Sequence, residues 1–340
     1  MTKGRTSAMP RAIALCTPVS DYLVHIDKMP RPGQNARMID DSWQFGGNAA
    51  TAIVTAARQG LSAGIIGAVG DDTNGRAQRI DFQRHQVETC GLIVRPGMAT
   101  PYVISLSDDA THSRSFLGAQ RPFEPIRPEE IDLNYLKTAQ YLLLDSPTEA
   151  SRMAAALIRG QGGEVMFDAS MHSPQQESML EYATIYITSE YYWETRYQRA
   201  DVFECCRDMM AHGPHTVIFT LGEQGCAGIG PDGPFQLPAF PVDRVIDTTG
   251  CGDTFHGAYI VGMERGLSPV ECARWASASS AIKCTAIGGR AAQPTAAEVE
   301  AFLATGRIEL NDLPERLAYY RQLHSEEQEP DSSGLDSSTC

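Results

Sequence analysis

The feature that most limits how this chain can fold is a repeated alternation of short apolar runs with stretches of helical spacing. The runs "RAIALC" (11–16), "SAGIIGAVG" (62–70), "YLLLD" (141–145), "EVMFDAS" (164–170), "TIYITS" (184–189) and "HTVIFTL" (215–221) read as strands buried on both faces. Helix patterns fill several of the intervals, at 48–59, 73–86, 149–160 and 195–212. Strands with no polar face need cover on both sides, which predicts an α/β fold: a doubly wound, mainly parallel sheet flanked by helices. Two segments break the rhythm. Residues 21–45 and 99–118 alternate apolar with polar side chains around turn signals, as half-exposed antiparallel strands do. They predict a small β-sheet lid over one end of the main sheet, which would exclude water from a site or serve as a homodimer surface. After 225 a hairpin and helices at 253–266, 268–286 and 295–304 complete the core.

The 340 residues suffice for one large α/β domain with an appendage. With 42 acids against 28 bases, the net charge of −14 disfavours nucleic acid and anionic membranes as partners. It leaves room for an anionic ligand, because a helix N-terminus and Mg²⁺ can neutralise phosphate locally. Nine cysteines are scattered without a C-x-x-C pair, which reads as reduced, mostly buried thiols. The apolar run near the N-terminus is too short for a signal segment or a membrane span, so the expectation is a soluble, cytoplasmic protein. The tail from about 325 is acidic and Ser-rich, and is expected to be disordered.

Four turns carry the chemistry. In "FGGNAATAIVTAARQG" (45–60), Gly46, Gly47 and Asn48 precede an Ala-rich helix. Asn48 serves equally as an ordinary helix cap or as an amide offered to a ligand hydroxyl. "VGDDTNGR" (69–76) reads as a capped turn rather than a metal site. "TLGEQGCAGI" (220–229) ends a strand in Thr-x-Gly-x-x-Gly, but a strand follows, which argues against a dinucleotide fingerprint. "DTTGCGDTF" (247–255) is the most informative. A capped turn would explain Asp253 and leave both glycines idle. An anion site uses all four of Gly250, Cys251, Gly252 and Asp253: the glycines let backbone approach a phosphate, the amides and helix dipole meet its charge, and the acid accepts a proton.

These motifs, in this order, resemble those of the ribokinase-like, or PfkB, family of carbohydrate kinases over residues 11–305. "DTTGCGDTFHGAY" looks like its C-terminal signature, with Cys251 where Ala is usual, and "FGGNAATAIVTAARQG" with "GAVGDDTNG" like its N-terminal one. The resemblance implies an ATP- and Mg²⁺-dependent phosphotransferase acting on a sugar hydroxyl. It implies Asp253 as general base and Gly250, Cys251 and Gly252 as anion hole. Asp21, Gly47 and Asn48 would grip the sugar, and Thr220, Gly222 and Gly225 would line the ATP site. Asp247 and Thr249 would help hold K⁺, with backbone carbonyls near Lys283, Ala286 and Gly288. The family's Asn-x-x-Glu motif is altered: Ser189 stands for the Asn, and Glu190 or Glu194 for the Glu.

The segment "AIKCTAIGGRAAQP" (281–294) looks most like the branch that includes bacterial sulfofructose kinase. Basic residues of that branch are replaced here by Gln34–Asn35 and Ser146–Pro147, which favours a neutral ketose or pentose. Lys28, Arg31, Arg37, Arg114 and Arg121 are alternative cations for a charged sugar. A nucleoside kinase and a non-catalytic sugar or nucleotide sensor are the competing readings. Residues 306–324 read as a C-terminal extension of the kinase domain.

Overall fold

The computed structural model describes residues 9–111, 114–119 and 121–323. The acidic tail lies outside the described residues. Among the described residues thirteen strands form two sheets: β1 Ala12–Leu15, β2 Val19–Ile26, β3 Met38–Gly46, β4 Ala63–Gly70, β5 Val87–Arg95, β6 Tyr102–Asp108, β7 Arg114–Gly118, β8 Tyr141–Leu144, β9 Glu164–Ala169, β10 Ile185–Ser189, β11 Thr216–Thr220, β12 Cys226–Gly230 and β13 Gly233–Leu237. The main sheet runs β13-β12-β11-β10-β9-β8-β1-β4-β5. It is parallel from β11 to β5, and the β12–β13 hairpin adds an antiparallel edge.

Each face of this sheet packs on its own apolar cluster, as strands without a polar side require. Along β1, Ala12 and Ala14 face one cluster, with the helices Asn48–Arg58, Cys251–Glu264 and Pro269–Lys283. Ile13 and Leu15 face the other, with Glu149–Gly160 and Val202–Met210. Among the described residues no helix is long and apolar enough to cross a membrane.

Several local expectations are corrected. The lid is a four-stranded sheet, β3-β2-β6-β7, but it is mixed: β2 and β6 pair in parallel. The reason is topological. Both strands enter the lid from the same end of the parallel main sheet, β2 after β1 and β6 after β5, so they run in one direction. The helix expected at 195–212 is two, Glu190–Tyr197 and Val202–Met210. Gln198 and Arg199 adopt left-handed φ of 50° and 59° between them, and Asp201 caps the second helix. Residues 240–246, which lead into the 247–253 turn, form no strand; the Ile246 and Asp247 amides both donate to the Cys284 carbonyl, at 2.8 and 3.2 Å. Strand β5 was unread because Glu88, Thr89 and Cys90 hide its pattern. The helix Leu313–Gln322 was unread too, and it docks through Arg316, whose Nη1 donates to the carbonyls of Ala291 and Gln293 at 2.9 Å each.

Candidate active site

Strand β1 pairs with β4 on one side and β8 on the other. From there the chain winds outward in opposite directions, so the connections leaving the carboxyl ends of β1 and β8 diverge and open a crevice, the usual place for a ligand in such a sheet. Four acids sit around it. Asp21 lies on β2, just past β1; Asp145 follows β8; Asp168 lies near the end of β9; and Asp253 is in the first turn of Cys251–Glu264. Sequence reasoning missed Asp145 and Asp168. The signal was available, since each is an acid at the carboxyl end of an otherwise apolar run.

These acids perturb one another. Burial pushes Asp253 well above the usual carboxylate range, and the charges of Asp168, Asp21 and Asp145 add to the effect against the pull of Lys283. Burial also lifts Asp21 to about 7, opposed by Arg290 and helped by Asp247. Asp145 rises to about 6 by burial, although it accepts from the Ala49 amide (3.0 Å) and the Ser146 hydroxyl (2.9 Å). Gly46 makes room for Asp21: a Cβ there would lie 2.3 Å from Asp21 Oδ2. Among the described residues no hydrogen bond reaches the carboxylate of Asp21 or Asp253.

The 247–253 turn is built around Gly250, whose φ of 77° is left-handed and whose missing Cβ would fall 2.7 Å from Gly289 Cα. This geometry corrects one expectation. The Cys251 N–H donates to the Thr248 carbonyl at 3.2 Å, closing the turn, so it is not free for an anion. The amides of Gly252 and Asp253, second and third in the helix, have no intrahelical partner, and the space beside Gly252 is open. The open amides at this helix end are therefore those of Gly252 and Asp253, with Gly250 and Cys251 shaping the turn. His256, one turn on, lies 2.6 Å from the Gly252 carbonyl through Nδ1 and 3.6 Å from Asp168 through Nε2.

The remaining candidates fall into two places. Gly47, at φ 85°, starts the helix Asn48–Arg58, and Asn48 Nδ2 donates to Ser170 Oγ at 2.8 Å, beside Asp168. On adjacent strands, Ser189 and Thr220 are register partners. Ser189 caps the next helix and donates to the Ser170 carbonyl at 2.6 Å, while Thr220 donates to the Thr188 carbonyl at 3.1 Å. Glu190 faces Gly222, where an added Cβ would sit 3.6 Å from its Oε1. Glu194 instead pairs with Arg199 at 3.1 Å. Gly225 is enclosed: a Cβ there would lie 2.0 Å from the Leu237 carbonyl oxygen, so its φ of 92° serves the tight entry to the β12–β13 hairpin.

Asp247 and Thr249 do not offer an open cation site. Asp247 Oδ1 accepts the Thr249 amide (2.9 Å) and hydroxyl (2.8 Å), and Oδ2 accepts the Gly288 amide (2.7 Å). Arg114, from lid strand β7, donates to Thr249 Oγ1 at 2.7 Å and lies 3.6 Å from Asp247. Burial raises Asp247, but Lys283 and these donors outweigh it and hold the carboxyl below its ordinary value.

An open-sheet crevice lined by four acids beside a glycine-built helix start suits a phosphotransferase. The pattern of the pfkB family of carbohydrate kinases matches residues 20–296, and the chain belongs to that family. It transfers a phosphoryl group to a carbohydrate hydroxyl. It is 27% identical over 288 residues to the ATP-dependent ribose-1-phosphate kinase of Halopiger xanaduensis, covering 84% of this chain and 95% of the relative. To the ribokinase of Bacillus subtilis it is 24% identical over 292 residues, covering 84% and 96%. To the aminoimidazole riboside kinase of Salmonella typhimurium it is 28% identical over 286 residues, covering 76% and 88%. Among solved structures, ribokinase from Thermotoga maritima superposes with a TM-score of 0.74 at 24% identity, covering 86% and 99%. Arabidopsis thaliana ribokinase, complexed with ribose and ATP, gives 0.72 at 21%, covering 87% and 99%. At these identities the structural likeness is one of fold.

Proposed function

We propose that this protein is an ATP- and Mg²⁺-dependent kinase that phosphorylates a hydroxyl of a small neutral sugar, a ketose or pentose. The observation that carries this reading is Asp253: a half-buried carboxylate with no hydrogen-bond partner among the described residues, beside the free amides of Gly252 and Asp253. In this reading the sugar hydroxyl lies against Asp253. The raised proton affinity of that carboxylate makes it the stronger base for the proton the hydroxyl loses. The two amides and the positive helix end meet the charge on the transferring phosphoryl oxygens. Asp21 accepts from sugar hydroxyls, Asn48 offers its amide, and Gly47 lets backbone approach. Ser189, Glu190, Thr220 and Gly222 border the nucleotide, while Gly225 shapes the hairpin behind them. Bound Mg²⁺ would neutralise phosphate charge, and Glu190 is the carboxylate offered to it. Mg²⁺ takes one or two carboxylates plus phosphates and water, so a closed protein cage is not needed.

A neutral sugar is favoured because the cations bearing on these acids are already engaged. Arg290 is bonded to Asp81 at 2.6 Å, Lys283 to the Asp247 carbonyl at 2.8 Å and Arg114 to Thr249. A second reading, sulfofructose kinase, is supported by the resemblance of 281–294 and by Arg114, which would have to exchange Thr249 for a sulfonate. Screening ATP turnover against ribose, fructose, sulfofructose, fructose 6-phosphate and adenosine tests both. Turnover of a neutral sugar at the highest kcat/KM is the expected result. Preference for sulfofructose or adenosine would overturn the substrate, and no transfer to any acceptor would leave a sensor. We also propose a lid-to-lid homodimer, supported by exposed Met38 and Ile39 on β3 and Phe116 and Leu117 on β7, the lid's edge strands. Light scattering at working concentration should return twice the chain mass; a monomer would remove the idea.

A further inference from the structure

Lys283 ends the helix Pro269–Lys283 and is fully buried. Its Nζ donates to the backbone carbonyl of Asp247 at 2.8 Å, at the base of the catalytic turn. Its charge draws down the proton affinity of both Asp247 and Asp253. Taking an ammonium out of water costs several kcal/mol, so a buried lysine held against a carbonyl needs a compensating role.

The surroundings show what that role is. The resemblance implies a monovalent metal ion beside Asp247 and Thr249, with carbonyls near 283–288 completing its shell. The residues present do not fit one. Both Asp247 oxygens are taken by Thr249 and Gly288, and Arg114 adds a positive charge 3.6 Å away. Of the nearby carbonyls, Cys284 accepts the amides of Ile246 and Asp247, and Ile287 accepts Gln44 Nε2 at 2.8 Å. At Gly288 it is the amide, not the carbonyl, that meets Asp247. A K⁺ ion would have to displace these donors and settle against an ammonium already in place.

We infer that the Lys283 ammonium is the built-in cation of the catalytic turn, so that this kinase needs no monovalent metal ion. Lys283 is a positioning residue. It holds the Asp247 carbonyl, hence the start of the turn that presents Gly252 and Asp253, and it supplies fixed positive charge where a mobile ion would otherwise be bound. The inference rests on the proposed kinase reading of this turn.

The test has a binding arm and a rate arm. Thermal unfolding of the wild type is followed in KCl, NaCl and tetramethylammonium chloride at equal ionic strength, and turnover of the best sugar is measured in the same series. Tm and kcat should both be flat across the three salts. A K⁺-specific rise in Tm, or activation by K⁺ over tetramethylammonium, would overturn the inference. Lys283→Met keeps the length and removes the charge. Its kcat should fall on the order of 10²-fold, the scale of losing one group that stabilises transition-state charge, with little change in KM for the sugar. A folded Lys283→Met with wild-type kcat would also overturn it. If that variant fails to fold, the wild-type salt series decides alone. If no sugar is turned over, the kinase reading fails, while the Tm series still reports whether K⁺ binds.

Discussion

Asp81 and the acids of the crevice are treated in opposite ways. Asp81, on the helix Thr73–Arg84, accepts from Arg290 Nη1 at 2.6 Å and Tyr320 OH at 2.9 Å, with His85 Nε2 3.5 Å away. Burial pushes Asp81 upward, yet His85 and Arg290 outweigh it and hold the carboxyl at about 2. At the crevice, Asp21, Asp145 and Asp253 are all raised instead. The first group spends its charge inside the protein. The second group has no bonded cation among the described residues; Asp145 accepts from Ala49 and Ser146, while Asp21 and Asp253 accept no hydrogen bond at all, which raises their proton affinity and leaves their oxygens open. Asp81 is the most deeply buried of these acids yet holds its proton least, so partners and not burial set the direction of each shift.

The largest effect should come from Asp253→Asn. Losing a general base should lower kcat by about 10²–10⁴-fold, while calorimetry finds nucleotide affinity unchanged and urea unfolding finds no loss of stability. Near-normal turnover would erase the contrast between the clusters. Arg290→Met should do the reverse, leaving Asp81 buried without its cation and removing about 3–5 kcal/mol in urea unfolding. Tyr320→Phe removes one hydrogen bond to the same acid and should cost about 1–3 kcal/mol. A silent Tyr320→Phe would mean that the C-terminal helix is not part of the cluster.

The smallest expected effect is also the most diagnostic, because it depends on pH. The folded Asp21 carboxyl titrates near 7, above its usual value of 3.8. Between those values the unfolded chain has already lost the proton that the folded protein keeps, so stability falls as pH rises through the window. Asp21→Asn should therefore raise Tm at pH 8, leave it nearly unchanged at pH 4, and weaken sugar binding. Asp81 works the other way: its contribution is present at neutral pH and is lost as pH falls toward about 2. A Tm gain for Asp21→Asn that is the same at both pH values would show that Asp21 is not a strained carboxylate.

The fold was legible because buried parallel strands write their burial into every residue. All six apolar runs became strands of the main sheet, and both alternating segments entered the lid. What misled was local. Gln198 and Arg199 carry no helix-breaking signature, yet their left-handed backbone ends one helix and frees Asp201 to cap the next. At the site, Gly250 and Gly252 marked a tight turn at a helix start through residue type alone. That the Cys251 amide is consumed within the turn depends on the φ of Gly250, which spacing does not encode.

The order of apolar and polar residues was enough to determine the layered α/β architecture, the lid and the turn at 247–253, since each rests on patterns local in the chain. Tertiary structure alone decided which acids converge. Asp21, Asp145, Asp168 and Asp253 are spread over more than two hundred positions, and only the switch point between β1 and β8 brings them to one crevice. It also decided which charges are already answered, Asp81 by Arg290 and Tyr320, and the Asp247 carbonyl by Lys283. Pairing across such distances is set by packing, and a charge in a sequence does not say what it will face.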